Sequence, residues 1–123
     1  MVKDFDDLEI YRLALDLADW IYDLTTEFPT AERYNVTSQL RKAATSIGAN
    51  IAEGYGRFHY KENIQFCRQA RGSLSEVKYF LLFSLKRNYI SMNNYEEFLK
   101  EYRNLQVKIN NYINSILRKS TIV

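Results

Sequence analysis

An uninterrupted seam of apolar residues in the last third of the chain is the feature that most constrains its fold. Its members alternate spacings of three and four: Tyr95, Phe98, Tyr102, Leu105, Ile109, Tyr112 and Ile116. This heptad pattern is typical of a helix that packs lengthwise against other helices with left-handed crossings. We therefore predict a helix over residues 93–118, capped by Ser91 and followed by a frayed tail over residues 120–123.

Apolar residues at helical spacing predict three further helices, over residues 7–27, 36–53 and 61–87. The chain of 123 residues contains one proline and four glycines, a composition that favours long helices and gives no indication of sheets. Short connections place successive helices antiparallel to each other. We therefore expect an all-α protein, with an up-and-down antiparallel four-helix bundle forming a single domain over residues 1–123.

The first helix carries two apolar stripes on nearly opposite sides, and Asp6 and Asp7 are expected to open it. One stripe is Tyr11, Leu15, Ala18 and Tyr22, and the other is Leu13, Leu17, Trp20 and Leu24. A helix in a lone bundle needs only one such stripe. In the third helix, residues 79–83 are apolar all round, and the expected core stripe is Cys67, Ala70, Leu74, Val77, Leu81 and Leu85. The surplus apolar surface at Trp20, Leu82 and Phe83 indicates a homo-oligomer, with a pentamer favoured by the family resemblance described below.

The second helix sets a polar row beside its apolar face. The face comprises Val36, Leu40, Ala43, Ile47, Ile51 and Gly54. Small amides, hydroxyls and a carboxylate in such a row are expected to make directed hydrogen bonds to a neighbouring helix, and Gly54 is expected to end the helix in a left-handed conformation. With two residues of the third helix, they form the predicted structural and interface motif: Gln39, Ser46, Asn50, Glu53, Gly54, Ser73 and Glu76.

Charge is distributed unevenly along the chain. Residues 1–30 carry two basic and eight acidic residues, a balance of −6; residues 31–89 carry ten and four, a balance of +6; residues 90–123 carry five and three, which restores the total of +2. Two explanations remain open. Either the acidic first helix of one subunit meets the basic middle helices of the next, or the basic surface is free for an anionic polymer.

Basic residues interleaved with aromatic residues supply the functional signal, because lysine and arginine contact phosphates while aromatic rings stack on bases. The candidate nucleic-acid-binding residues are Arg41, Lys42, Arg57, Lys61, Arg68, Arg71, Lys78 and Lys86. We therefore favour a non-enzymatic oligomer that binds or scaffolds RNA, DNA or a nucleoprotein enzyme. The alternative is a pure protein–protein interaction module, whose basic face meets an acidic neighbour or a protein partner.

Candidates for catalysis and metal binding are few. His59 and Cys67 are the only residues of their types, and a metal site needs more ligands than these. The Gly54-Tyr55-Gly56-Arg57 segment lacks the strand and the Gly-Lys-Ser/Thr of a phosphate loop. We expect no enzyme activity, no cofactor and no metal. A single cysteine, an acidic N-terminus and the absence of a membrane-spanning run predict a cytoplasmic protein.

Several segments together resemble the bacterial four-helix-bundle family encoded in intervening sequences of 23S ribosomal RNA genes, and the resemblance covers nearly the whole chain. The segments are Asp7-Leu8-Glu9-Ile10-Tyr11, residues 37–44, residues 46–57 and Arg71-Gly72-Ser73-Leu74-Ser75-Glu76. The resemblance implies an up-and-down bundle, frequently a cyclic pentamer, without known catalytic residues. One branch of the family serves as the accessory variability determinant of diversity-generating retroelements, in which the basic ring engages a reverse transcriptase and RNA.

Overall fold

The chain folds into four long α-helices joined by short connections. In this computed structural model, the backbone is described for residues 1–122 and the side chains for residues 1–120. The helices are α1 (Glu9–Thr25), α2 (Val36–Tyr55), α3 (Tyr60–Lys86) and α4 (Met92–Ile122). Two single-turn 3-10 helices lie at Phe5–Asp7 and Thr30–Glu32, and no strand occurs within residues 1–122. The predicted all-α four-helix bundle is confirmed.

Each helix packs against two others, so that the four helices form a square in cross-section. Within the described residues, α2 lies between α1 and α3, α4 lies against α3 and α1, and diagonal helices do not approach each other. The most extensive contact joins α2 and α3. An ion pair of 2.7 Å between Glu9 Oε2 and Lys108 Nζ links the first helix to the last.

The core follows the apolar faces predicted for the last three helices. The six face residues predicted for α2 are all buried. In α3 the predicted stripe of Cys67, Ala70, Leu74, Val77 and Leu81 is buried, and Leu85 is half-buried. In α4 every seam residue is buried except Tyr112, which is half-buried.

The buried face of α1 differs from the prediction. It consists of Ile10, Ala14, Leu17, Ala18, Ile21 and Thr25, and it lies between the two predicted stripes. Leu15 and Tyr22 are exposed, and the remaining stripe residues apart from Leu17 and Ala18 are half-buried. The prediction of two separate stripes was wrong, because the core of the bundle meets the face between them and each predicted stripe is a flank of that one face.

The start of α1 also differs from the prediction. Asp4 caps the preceding 3-10 turn by accepting from the Phe5 N–H, and α1 begins only at Glu9. Asp7, which was expected to open the helix, instead accepts from the Lys3 N–H at 2.9 Å and lies 3.5 Å from Arg12. The helix ends at Thr25, after which Thr26 donates its N–H to the carbonyl of Asp23.

The prediction that Gly54 ends α2 in a left-handed conformation was wrong. The glycine lies inside the helix, which continues to Tyr55, and no glycine has a positive φ. A Cβ at position 54 would lie 2.8 Å from Asn63 Oδ1 and 2.9 Å from Phe66 Cβ. The absent side chain therefore allows α2 and α3 to approach closely.

A left-handed residue does end α3, and it is Asn88, with φ of 64°. The Asn88 N–H donates to Leu85 O at 3.0 Å, and the Tyr89 N–H donates to Ser84 O at 2.8 Å. These two bonds form a Schellman motif, which satisfies carbonyls that the end of the helix would leave unpaired.

The start of α4 is capped as predicted. Ser91 Oγ accepts from the Asn94 N–H at 3.0 Å, while Asn94 Oδ1 accepts from the Ser91 N–H at 3.2 Å. The helix extends to Ile122, beyond the predicted end at residue 118, so residues 120–122 continue the helix. Val123, the last residue of the predicted tail, lies outside the described residues.

Candidate nucleic-acid interface

The polar row of α2 contributes one direct hydrogen bond to α3. The hydroxyls of Ser46 and Ser73 lie 2.9 Å apart across the two helices, and both residues are half-buried. Asn50 donates its amide to Ser46 O at 2.9 Å and to Ser46 Oγ at 3.0 Å. Asn50 therefore acts on α3 only through Ser46, whose hydroxyl it holds in place.

The charged and amide members of the motif lie outside this contact. Gln39, Glu53 and Glu76 are exposed, and Glu53 lies 3.4 Å from Arg57, one turn further along the chain. Gln39 and Glu76 make no side-chain hydrogen bond or ion pair within the described part of the chain. Gln39 and Glu76 therefore remain available to another molecule, whereas Glu53 is paired with Arg57. Gly54 is buried at the α2–α3 contact.

Four of the eight candidate binding residues contact other parts of the bundle. Arg41 Nε donates to Thr25 Oγ1 at 2.8 Å, and Arg71 Nη1 donates to Asn110 Oδ1 at 2.8 Å. Lys78 Nζ lies 4.8 Å from the centre of the Tyr102 ring. Arg57 lies over the Phe66 ring and within 4 Å of Glu53 and Glu62. These residues help to hold neighbouring helices together.

The other four candidates are exposed: Lys42, Lys61, Arg68 and Lys86. They make no ion pair within the described residues. Because α2 and α3 are antiparallel, Lys42 and Lys86 lie towards one end of the bundle, and Lys61 and Arg68 lie towards the other. The structure therefore divides the predicted basic face between the two ends of the α2–α3 pair.

At one of these ends, a groove separates the first turns of α3 from the last turns of α4. It has a volume of about 560 Å³, and the residues that line it are Lys61, Glu62, Ile64, Gln65, Arg68, Leu117 and Ser120. Just before α3, Phe58 is 90% exposed, and Tyr60, the first residue of the helix, is exposed as well. The groove lining thus combines cationic and apolar side chains with the carboxylate of Glu62, and two exposed aromatic residues precede it in the chain. We call this region the α3–α4 groove.

At the opposite end, a cleft lies where α1 ends and α2 begins. It has two parts, of about 290 and 380 Å³, and Arg33, Thr37 and Arg41 line both of them. Lys42 and Ser38 line the larger part. We call this region the α2 cleft. Sequence reasoning identified Arg41 and Lys42 but missed Arg33 and Thr37, although a threonine in the first turn of a helix beside basic residues could have indicated them.

The two residues with the most familiar reactive side chains, Cys67 and His59, lie in different environments. Cys67 is fully buried, and burial raises the pKa of its thiol to about 11. His59 is exposed immediately before α3, with its ring 5.0 Å from the ring of Phe58. Within residues 1–122, no three His, Cys, Asp or Glu side chains converge as metal ligands would.

None of the helices, over the described residues, offers a stretch both long and apolar enough to traverse a bilayer.

The fold and its surface define the class of protein, which is an all-α, up-and-down four-helix bundle with basic surface at both ends of the α2–α3 pair. The sequence profile of the family described as 23S rRNA-intervening sequence protein matches residues 6–111. The chain belongs to this family.

A solved structure has the same fold. It is a protein of unknown function from the S23 ribosomal protein family of Bacteroides thetaiotaomicron, with a TM-score of 0.75. The two sequences are 21% identical, and the alignment covers 85% of this chain and 97% of that one. A search of curated proteins found no match.

Proposed function

We propose that this protein is a non-enzymatic, oligomeric, cytoplasmic bundle that binds nucleic acid or a nucleoprotein enzyme through its basic surface. The α3–α4 groove is the observation that carries the proposal. Lys61 and Arg68 are exposed there without an ion pair among the described residues, and the exposed residues Phe58 and Tyr60 precede Lys61 in the chain. Free cations with exposed rings are the combination that single-stranded nucleic acid requires.

In this proposal the cations contact the phosphate backbone, and the rings stack on unpaired bases. Lys61 and Arg68 lie seven residues apart on one helix, so their backbone positions are separated by about 10.5 Å along its axis. Successive phosphates of an extended strand can reach both. Such contacts do not distinguish one sequence from another, so RNA and single-stranded DNA are both within the proposed ligand class.

Assembly into a ring would strengthen this binding. The single subunit exposes Leu82 and Phe83 and leaves Trp20 half-buried, and burying these side chains between subunits would stabilise a homo-oligomer, for which a pentamer is our proposal. Each subunit would then present its own groove around a common axis. Several weak grooves on one particle bind a long polymer much more tightly than one groove does.

The test is fluorescence anisotropy with a labelled single-stranded RNA, comparing wild type with the double variant K61E/R68E. We expect the variant to lose most of its affinity. In wild type, the logarithm of affinity should fall linearly with the logarithm of salt concentration, and loss of the two phosphate contacts should make that slope about two less steep. The matched control is K100E/R103E, which makes the same charge change at two exposed residues of α4 and should retain binding.

A protein–protein interaction module is the second candidate, and one observation favours it. A groove of about 300 Å³ between α1 and α4 is lined by Asp16, Glu97, Glu101 and Trp20 among others. This acidic surface is opposite in charge to the basic ends of the bundle. In this second proposal it binds a neighbouring subunit or a protein partner such as a reverse transcriptase. If wild type shows no RNA or DNA binding at low salt, this second function is the better one. A reverse transcriptase gene beside this gene would then favour that partner.

A further inference from the structure

The α2 cleft differs from the α3–α4 groove in containing no acidic residue. Across its two parts, its lining consists of three basic residues, five hydroxyl-bearing Ser or Thr residues, two tyrosines, Phe28 and Pro29. The parts have volumes of about 290 and 380 Å³, near the lower limit of about 300 Å³ for small-molecule sites. The hydroxyls of Thr25 and Thr26 already donate to the carbonyls of Ile21 and Tyr22. The basic residues and the other three hydroxyls, those of Thr30, Thr37 and Ser38, are suited to a small anion.

Thr37 supplies an unsatisfied donor within this cleft. The residue is only 8% exposed, and its hydroxyl has no hydrogen-bond partner within the described residues. Every described side-chain N or O atom that is sealed from solvent does have a partner. The Thr37 hydroxyl must therefore retain an opening, and Thr37 lines both parts of the cleft. The hydroxyl is therefore an accessible donor with no partner among the described residues, and an acceptor bound in the cleft would receive its hydrogen bond.

The backbone of α2 adds further donors beside Thr37. The N–H groups of Val36, Thr37 and Ser38 begin the helix and have no partner within the described residues. Asn35, which precedes the helix, donates its amide to Glu32 Oε1 at 3.4 Å and caps none of them. Free N–H groups and the helix dipole attract negative charge to this end of α2.

Arg41 is held in position at the edge of the same cleft. Its guanidinium donates through Nε to Thr25 Oγ1 at 2.8 Å and through Nη2 to Tyr22 O at 3.2 Å, and it lies 4.5 Å from the centre of the Tyr22 ring. The remaining N–H groups of the guanidinium have no partner in the described part of the chain. Because the side chain is already ordered, binding an anion costs little conformational entropy.

We propose that the α2 cleft is a binding site for a phosphate monoester. The Thr37 hydroxyl, the first N–H groups of α2 and the free N–H groups of Arg41 donate to the phosphate oxygens, while Arg33 contributes charge from the exposed side. A monoester offers three terminal oxygens and nearly two negative charges, which matches this number of donors better than a backbone diester does. The terminal phosphate of a nucleic acid and a free phosphate compound share this chemistry. The proposal does not depend on the α3–α4 groove.

The direct test is isothermal titration calorimetry of the full-length protein with inorganic phosphate, against chloride at equal ionic strength. We expect saturable binding in wild type and binding about tenfold or more weaker in T37V, which keeps the side-chain shape and removes the hydroxyl. R33Q should weaken binding similarly, while R103Q, the same change at an exposed residue of α4, should bind as wild type does. T37V should melt in chloride no lower than wild type, because the hydroxyl it removes has no partner among the described residues.

Single-stranded RNA with and without a 5′-phosphate then distinguishes the two sources of the ligand. If wild type binds the phosphorylated strand more tightly than the unphosphorylated one, and T37V binds both equally, the ligand is the end of a nucleic acid. Equal binding of both strands, with inorganic phosphate still bound through Thr37, identifies a free phosphate compound. Absence of phosphate binding in wild type, or unchanged phosphate binding in both T37V and R33Q, overturns the proposal. RNA binding that survives T37V but not K61E/R68E leaves the proposed function intact even then.

Discussion

Gly54 shows how much a single missing side chain determines at the α2–α3 contact. Its Cα lies where Asn63 and Phe66 of α3 come closest, and no other glycine of the chain is so enclosed. Gly72, by contrast, has no atom within 4 Å of the position its Cβ would take. The two glycines therefore differ in role, although both lie within long helices.

This difference makes a matched pair of substitutions informative. G54A should destabilise the protein by about 1–3 kcal/mol, because its methyl group would force α2 away from α3. G72A should stabilise it by about 0.5–1 kcal/mol, since alanine is the better helix former at an open, exposed position. Urea denaturation measures both. Equal effects of the two substitutions would show that the close approach at Gly54 contributes nothing.

Cys67 predicts how stability changes at alkaline pH. Burial raises the pKa of its thiol from 9.0 to about 11, so between these values the unfolded chain loses the proton while the folded protein keeps it. Stability contributed by the protonated thiol is therefore complete below pH 9 and is lost as the pH rises towards 11. Over this range, wild-type stability should fall more steeply than that of C67A by about 1.4 kcal/mol per pH unit.

The comparison of wild type with C67A removes the titration of Cys67 together with its effect on Tyr112. Burial is also the main cause that raises the pKa of Tyr95 and of Tyr112, and both tyrosines remain in C67A, but the charge of Cys67 adds to the raised pKa of Tyr112. C67A also loses the packing of the sulfur, which lowers the free energy of unfolding by the same amount at every pH. This loss does not change the slope of stability against pH. Denaturation midpoints measured from pH 7 to 10.5 give the slopes, and parallel curves would contradict the prediction.

Among the elements, the buried faces of α2, α3 and α4 were predicted correctly from the sequence, and that of α1 was not. The spacing of the α4 seam identified its buried residues because that helix has polar residues on its other faces. In α1 the charged residues lie together on one side, and the broad apolar face opposite them is centred on Ala14 and Ile21. The error was to divide this one face into two stripes, since α2 and α4 pack against its centre and leave its flanks half-buried or exposed.

Helix ends followed the same division. Ser91 was predictable as a cap because a hydroxyl before a helical pattern satisfies local N–H groups. The left-handed end of α3 at Asn88 was not predicted, since glycine usually takes this conformation. The glycine to which this conformation was assigned, Gly54, lies inside α2. Whether a glycine stops a helix or admits a neighbour depends on tertiary packing.

The conformation of Asn88 leads to a prediction about the end of α3. With φ of 64°, this position disfavours residues that carry a Cβ, so N88G should stabilise the protein by about 0.5–1 kcal/mol and N88A should destabilise it by about 1 kcal/mol. The glycine substitution N104G, at an exposed residue inside α4, should lower the free energy of unfolding by a few tenths of a kcal/mol. Thermal unfolding measures all three, and a loss of stability in N88G would count against a left-handed Asn88.

At the scale of the whole molecule, the residue types of the candidate site were predictable and their arrangement was not. The sequence identified basic residues of α2 and α3, but four of them contact other parts of the bundle and the rest are divided between its two ends. A side chain's partners come from helices distant in sequence, as Arg71 and Asn110 illustrate. Arg33 and Thr37 were missed because the α2 cleft exists only where α1 and α2 meet.

Exposed apolar residues on α3 predict the state of assembly. Tyr79 is 62% exposed, and Leu82 and Phe83 are exposed as well. We expect light scattering at micromolar concentration to give an oligomer, and five copies of a 14.6 kDa chain total about 73 kDa. L82E should lower the measured mass to that of assemblies with fewer subunits, because a charge is costly in an apolar interface. Helix content should be retained.

The control for this experiment is Q69E, which introduces the same charge at an exposed polar position of α3 and should leave the mass unchanged. A monomer mass for wild type would refute the proposed assembly. The measurement needs no knowledge of the ligand, so its outcome is independent of nucleic-acid binding.

The unequal lengths of the helices have a consequence for motion. The ion pair to Glu9 places Lys108 beside the start of α1, yet α4 continues to Ile122 alongside the first turns of α3. The backbone there has fewer neighbouring helices, so its amide hydrogens should exchange with deuterium faster from Ile113 to Ser120 than around Leu105 and Ile109. The α3–α4 groove is built on this same segment. If a nucleic-acid strand binds in the groove as proposed, it should slow amide exchange in this segment. Part of the response to binding would then be an ordering of the end of α4.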